Sequence, residues 1–177
     1  MEQGWSKKDG QILTDEYGRP KPNKELYPSS AGGAGMRPLV DALAAKGLRL
    51  GLWIMRGVPR SAATARLPIF NTTTNSTALD AVRYDKSCFW STSCYGSNYP
   101  AAAAAEYYAS VAALFTQWGV QYLKARRDDA LCAAPLLAKC CSAHRWANVR
   151  ALCRRRTASF RTCPQAARSR TDTSTRT

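Results

Sequence analysis

Two short apolar runs bracket a single helix, and that arrangement restricts the fold more than any other feature of the chain. Leu48-Arg-Leu-Gly-Leu-Trp-Ile-Met55 is apolar on both sides after Arg49, as a strand covered on both faces of a parallel sheet is. A helix over about 36–46 precedes it. Pro38 suits its first turn, Leu39, Val40, Leu43 and Ala44 share one face, and Gly47 stands where helices end in the left-handed conformation. A second helix is predicted over about 101–118. Ala101 to Ala105 favour it, Pro100 opens it, Val111, Leu114, Phe115 and Trp118 give it an apolar face, and Gly119 closes it. Val120-Gln-Tyr-Leu-Lys124 then reads as another strand. Strand, helix, strand in this order is a βαβ unit, so the fold class is α/β with a parallel sheet.

Residues 56–100 separate the first strand from the second helix, whereas an ordinary βα connection has about 2–6 residues. A long connection leaving the C-terminal end of a strand is where α/β proteins build their sites. This one carries Tyr84, Trp90, Tyr95 and Tyr99, which suit either stacking on a flat ligand or packing the loop itself. Cys88 and Cys94 suit a small-loop disulfide or two thiols equally well. Asn71-Thr-Thr and Asn75-Ser-Thr are acceptor triplets for N-glycosylation in a secreted protein. Residues 1–35 read as a polar loop with turn formers at Gly10, Gly18, Pro20, Pro22, Pro28 and Gly32-Gly-Ala-Gly35. The ordered region is therefore expected over about 36–124.

The chain divides at Ala125. Of the 177 residues, 1–125 hold 14 basic and 9 acidic residues, net +5, and 126–177 hold 12 basic and 3 acidic, net +9. The last 52 residues contain none of the 11 Gly, no Tyr and no Ile, while Arg and Ala fill 21 positions. A folded domain of that size needs glycine for turns and helix ends. Five of the seven Cys lie there (Cys132, Cys140, Cys141, Cys153 and Cys163), with His144 the one histidine, and their spacings do not match a zinc site. Two readings of this basic tail stand: an arm for nucleic acid, or a coding sequence read out of frame or through an intron. The composition favours the second, because only Trp146 and Phe160 are present for stacking on bases. The tail is expected to be disordered. No run of about 18 apolar residues is present, so no membrane partner is expected. The N-terminus shows no apolar signal segment, and localisation stays open.

An ordered set of motifs then becomes recognisable: Gln3-Gly-Trp-Ser-Lys-Lys-Asp-Gly-Gln11, Asp15-Glu-Tyr-Gly-Arg-Pro20, Tyr27-Pro-Ser-Ser30, Gly32-Gly-Ala-Gly-Met36, Lys46-Gly-Leu-Arg-Leu-Gly51, Met55-Arg-Gly-Val-Pro-Arg60 and Trp118-Gly-Val-Gln-Tyr-Leu-Lys124. Together they resemble the alpha-galactosidase (melibiase) family of retaining glycoside hydrolases, in a branch found in plants and bacteria, over about 3–124. The resemblance implies a partial (β/α)8 TIM barrel of about two βα units, with strands 48–55 and 120–124 consecutive in it. A whole barrel takes about 250 residues and eight strands. The longer parent the resemblance implies is secreted or vacuolar.

The same resemblance implies a carbohydrate substrate, an alpha-galactoside, and no cofactor. It places Lys124 on sugar hydroxyls and Trp53 against the sugar. The family nucleophile is the Asp of a Lys-x-Asp motif, and that position is Arg126 here. Asp128 and Asp129 follow, and Asp128 has the same strand parity as 126 but lies about 6.7 Å further along an extended chain. Retaining chemistry needs two carboxyls about 5–5.5 Å apart, so Asp128 is an outside candidate. The family acid/base has no counterpart. Arg56 and Arg60 match a branch motif and either bind substrate hydroxyls or tie the long loop down. The expectation is an alpha-galactosidase-like fragment, inactive as written. The alternative from another class is a basic nucleic-acid-binding protein, which steep salt dependence of binding would reveal.

Overall fold

The computed structural model describes residues 4–54, 57–87, 92–125 and 147–148. Its mixed α/β architecture agrees with the expected class, but the first correction comes at the N-terminus. Residues 4–35 are not a polar loop outside the ordered region; they fold onto the rest. Gly4–Ser6 forms one 3-10 turn, followed by a hairpin of β1 (Lys7–Lys8) and β2 (Gln11–Ile12). Asp9 and Gly10 between them have φ of 50° and 75°, the doubly left-handed turn whose twist suits a hairpin and which Asp-Gly readily adopts. What looked polar hides Trp5 and Ile12, both buried. The Trp5 ring meets Phe115 at 5.8 Å and Trp118 at 6.3 Å, edge to face.

A second brace follows. The Asp15 carboxylate accepts hydrogen bonds from the backbone N–H groups of Tyr17 (3.0 Å) and Arg19 (2.8 Å) and from Arg19 Nε (2.8 Å). Arg19 in turn lies 4.6 Å from the centre of the Phe70 ring. The bend brings the Gly18 carbonyl to the Tyr107 hydroxyl, which donates to it at 2.8 Å. Two further 3-10 turns lie within Pro28–Gly33.

Helix α1 spans Arg37–Ala44, with Pro38 in its first turn as expected. It ends as its glycine foretold: Gly47 has φ of 70°, its N–H donates to the Ala44 carbonyl at 2.9 Å, and Leu48 N–H donates to Leu43 at 2.9 Å. Strand β3 is Gly51–Ile54, shorter than expected, with Leu52 and Ile54 buried. The 56–100 connection is not a plain loop. It contains β4 (Val58–Pro59), α2 (Arg60–Thr64), β5 (Val82–Ser87) and β6 (Cys94–Ser97), and the strands make an antiparallel sheet in the order β4-β6-β5. Helix α3 spans Ala102–Gln117 and buries nine residues, Tyr107, Val111, Leu114 and Phe115 among them. It too ends on glycine: Gly119 N–H donates to Thr116 at 2.9 Å and Val120 N–H to Phe115 at 3.0 Å.

Strand β7 (Tyr122–Ala125) pairs parallel with β3, in the register Gly51↔Tyr122, Leu52↔Leu123, Trp53↔Lys124, Ile54↔Ala125. The βαβ unit is therefore present. From the tail, Ala147–Asn148 forms β8, antiparallel beside β7. The remainder of 126–177 lies outside the described residues, as does the disorder expected there. The described sheets have two or three strands each and do not close a barrel.

Gly35 sits where the N-terminal segment meets α3. Its φ is +58°, and a Cβ there would come within 2.0 Å of Trp118 Nε1. Gly35→Ala combines backbone strain with a ring clash and is expected to cost about 2–4 kcal/mol. Gly33→Ala, with φ of +83° and open space around it, is expected to cost only the strain, about 1–2 kcal/mol. Parallel thermal or urea melts check the difference; equal losses would contradict the clash.

Candidate functional site

The parallel register decides which side chains stand together. Directly opposed residues of a parallel pair share a face, so Trp53 and Lys124 are neighbours on one face and Leu52 and Leu123 on the other. The Leu face is buried in the core with α3. On the opposite face Lys124 is exposed and Trp53 half-buried. Below them on that face lie Gly51 and Tyr122, whose hydroxyl accepts a hydrogen bond from the Arg49 guanidinium at 2.9 Å. The structure thus brings the two predicted substrate-binding residues together.

Trp53 is fixed from two sides. Its carbonyl accepts the Trp5 indole N–H at 2.8 Å. Its ring packs against Ile12 and Cys94, which are both buried. The long connection therefore returns to the strand end through β6, and Gly57 allows the approach. A Cβ on Gly57 would lie 2.7 Å from the Tyr95 carbonyl and 2.9 Å from Cys94 Cβ, at a φ of +133°. Gly57 N–H donates to the Tyr108 hydroxyl at 2.9 Å, and that hydroxyl also bonds Ser97 Oγ at 2.7 Å. Burial pushes the Tyr108 phenol well above its ordinary value, so it stays a neutral hydroxyl serving both partners.

Of the two arginines with open roles, Arg60 braces the connection. Its N–H donates to the Ser93 carbonyl at 3.0 Å, and its guanidinium lies 4.5 Å over the Tyr95 ring. Of the aromatic rim, Tyr84 meets Tyr95 edge-on at 4.9 Å and Tyr99 stacks on Tyr108 at 6.1 Å. These rings pack on one another, although Tyr84 remains 56% exposed. Arg56, Trp90, Cys88, Arg126 and Asp128 lie outside the described residues, as do the tail cysteines and His144. The Cys88–Cys94 question and the nucleophile position lie there with them. Among the described residues, no group of three His, Cys, Asp or Glu could hold a metal ion, and no helix is long and apolar enough to cross a membrane.

One arrangement escaped the sequence reading. Glu106, on α3, is 9% exposed and is clasped by three consecutive threonines. Its carboxylate accepts from Thr73 Oγ1 (2.5 Å), Thr73 N–H (3.1 Å), Thr74 Oγ1 (2.7 Å) and Thr72 Oγ1. Desolvation pulls its pKa upward, but the combined hydrogen bonds outweigh it and hold the carboxyl at about 2. A lone Glu after five alanines was the available signal. Its partners lie more than 30 residues away, beyond any local pattern.

No protein-family model matches the sequence, and no curated protein matches it. Solved structures do. A Bacillus halodurans C-125 protein provisionally named an alpha-N-acetylgalactosaminidase is 29% identical, with a TM-score of 0.68 over 85% of this chain and 35% of its own. The GH27 β-L-arabinopyranosidase of Geobacillus stearothermophilus is 34% identical, with a TM-score of 0.64 over 69% of this chain and 30% of its own. A variant of that enzyme in complex with arabinose is 33% identical, with a TM-score of 0.66 over 77% and 32%. The chain thus spans about a third of the length of these relatives.

Glu106→Gln removes the charge on which the threonine clasp depends and is expected to cost about 1–3 kcal/mol at neutral pH. The native carboxyl is depressed from 4.5 to about 2. Its contribution is therefore complete above pH 4.5 and lost as pH falls through about 2. Denaturant melts from pH 6 to pH 2 should show a steeper acid loss for the parent chain than for Glu106→Gln; superimposable slopes would contradict the clasp.

Proposed function

We propose, starting from this chain's relation to the GH27 glycoside hydrolases and so to the alpha-galactosidase family, that residues 1–125 are an arc of a (β/α)8 barrel. On this reading the arc carries part of the wall that holds an alpha-galactoside. The observation that carries the reading is the Trp53–Lys124 pair on the face of β3 and β7 turned away from α3. An indole offers a flat apolar surface to the C–H face of a sugar. An ammonium beside it offers three donors to hydroxyls. That one structural relative holds arabinose supports a carbohydrate as the ligand class.

The family reaction is a double displacement. A carboxylate attacks the anomeric carbon and forms a glycosyl ester, and a second carboxyl protonates the leaving oxygen and then activates water. In this chain Arg126 stands at the nucleophile position. A guanidinium stays protonated and has no lone pair to offer the anomeric carbon. Binding of sugar without hydrolysis is therefore the proposed property of the chain as written, with 126–177 an extension read out of frame.

The expected outcome with an aryl alpha-galactoside is no turnover by residues 1–177. Galactose binding, followed by calorimetry or tryptophan fluorescence, is expected to weaken about tenfold in Lys124→Met, the loss of roughly one charge-assisted hydrogen bond. Trp53→Ala should weaken it similarly. Clear turnover abolished by Asp128→Asn would overturn the inactivity and make Asp128 the nucleophile. Unaltered sugar binding in both Trp53→Ala and Lys124→Met would remove the proposed wall.

A further inference from the structure

We infer that the turn over residues 70–77 is an N-glycosylation site with two acceptors, Asn71 and Asn75, of which Asn71 is favoured. The inference does not depend on the sugar-hydrolase reading. The segment Asn71-Thr-Thr-Thr-Asn-Ser-Thr77 holds two acceptor triplets within seven residues. Both asparagines are exposed, and both take the left-handed conformation, at φ of 54° and 53°, which asparagine adopts more readily than most residues. The turn is pinned at its base. Pro68 bridges Thr77, Ile69 N–H donates to the Ser76 carbonyl at 3.1 Å, and Ala78 N–H to Leu67 at 2.7 Å. Exposure at both positions leaves room for an oligosaccharide without unfolding that base.

The hydroxyl two residues after each asparagine is part of the recognised triplet, and in the folded protein both hydroxyls are engaged. Thr73 Oγ1 donates to Glu106 at 2.5 Å, and Thr77 Oγ1 donates to Asp80 at 2.8 Å. Transfer must therefore precede closure of these contacts, on the extended nascent chain. The two latches differ in reach. Asp80 lies 3 residues from Thr77 and is available almost as soon as the triplet, whereas Glu106 lies 33 residues beyond Thr73. Thr73 thus stays open longer, which favours Asn71. In the reaction the Asn71 amide nitrogen attacks the anomeric carbon of a lipid-linked oligosaccharide diphosphate. The N–C bond forms, the C–O bond to phosphate breaks, the lipid diphosphate leaves with the electron pair, and the amide proton passes to the transferase's base.

The test expresses residues 1–177 behind a cleavable secretion leader in eukaryotic cells, with an acceptor triplet appended after Thr177 as a reporter of entry into the secretory lumen. Endoglycosidase-sensitive mobility is read in the cell lysate as well as the medium, so a chain retained by misfolding still reports. The expected result is a shift beyond that of the reporter, reduced more by Asn71→Gln than by Asn75→Gln and abolished in the double variant. A reporter-modified chain with no further shift, or a further shift that survives the double variant, overturns the site. A larger loss from Asn75→Gln than from Asn71→Gln overturns the order of preference.

Discussion

The parallel pairing of β3 with β7 is the constraint on which the rest of the molecule depends. Four residues of each strand are paired, and their register sorts every side chain to one of two faces. One face places Leu52 and Leu123 in the core with α3, whose own contribution includes Tyr107 and Phe115. The other sets Trp53 beside Lys124. A slip of β7 by one residue would turn Lys124 toward the helix and Leu123 away from it. The connection back from α3 is short because Gly119 turns the chain sharply, so helix and strand share one geometry.

Around this pair the chain is braced from segments far away in sequence, and the braces meet on Trp53. Trp5 holds its carbonyl and fills the gap beside Phe115 and Trp118, while Ile12 and Cys94 support its ring. Gly57 permits the backbone of β6 to come close enough for that support, since any side chain there would meet the Tyr95 carbonyl. Tyr108 then ties Gly57 and Ser97 to α3. Rotamer freedom at Trp53 is limited by contacts that arrive through separate parts of the chain, as the proposed sugar-facing role requires.

How much of this was readable in the sequence depends on the range of the interactions. Gly47 and Gly119 marked both helix ends because the ending motif uses contacts within six residues. Leu50 to Ile54 betrayed a strand through apolarity on both sides. Trp5 and Ile12 gave no such sign: each is one apolar residue in a polar stretch, and only a partner in α3 or β6 makes it core. The sheet of β4, β5 and β6 was missed because Val58–Pro59 is too short to show a period and β5 carries Arg83, Asp85 and Lys86. The expectation that Lys124 and Trp53 meet a sugar came only through the resemblance; that they oppose one another is a matter of register, which two isolated apolar runs do not specify. The partners of Glu106 were hidden for the same reason as those of Trp5, its threonines being remote in sequence.

The residues that maintain the fold and the residue that would supply the chemistry are separable in this chain. Trp5, Gly35, Gly57, Glu106, Tyr107 and Tyr108 act through packing, close approach and hydrogen bonds on the α3 side of the sheet or at its end. None of those contacts needs a carboxylate at position 126. An active-site nucleophile is commonly neutral or costly for stability, since an ionised group is held for reaction rather than for packing. On the proposed reading, in which Arg126 stands at the nucleophile position, the covalent step is lost while every one of these braces is kept. The ammonium proposed to meet a sugar hydroxyl sits on β7, at Lys124, whose strand partner and register are set by β3. The proposed recognition of a sugar thus draws on the described core through the pairing of β3 with β7.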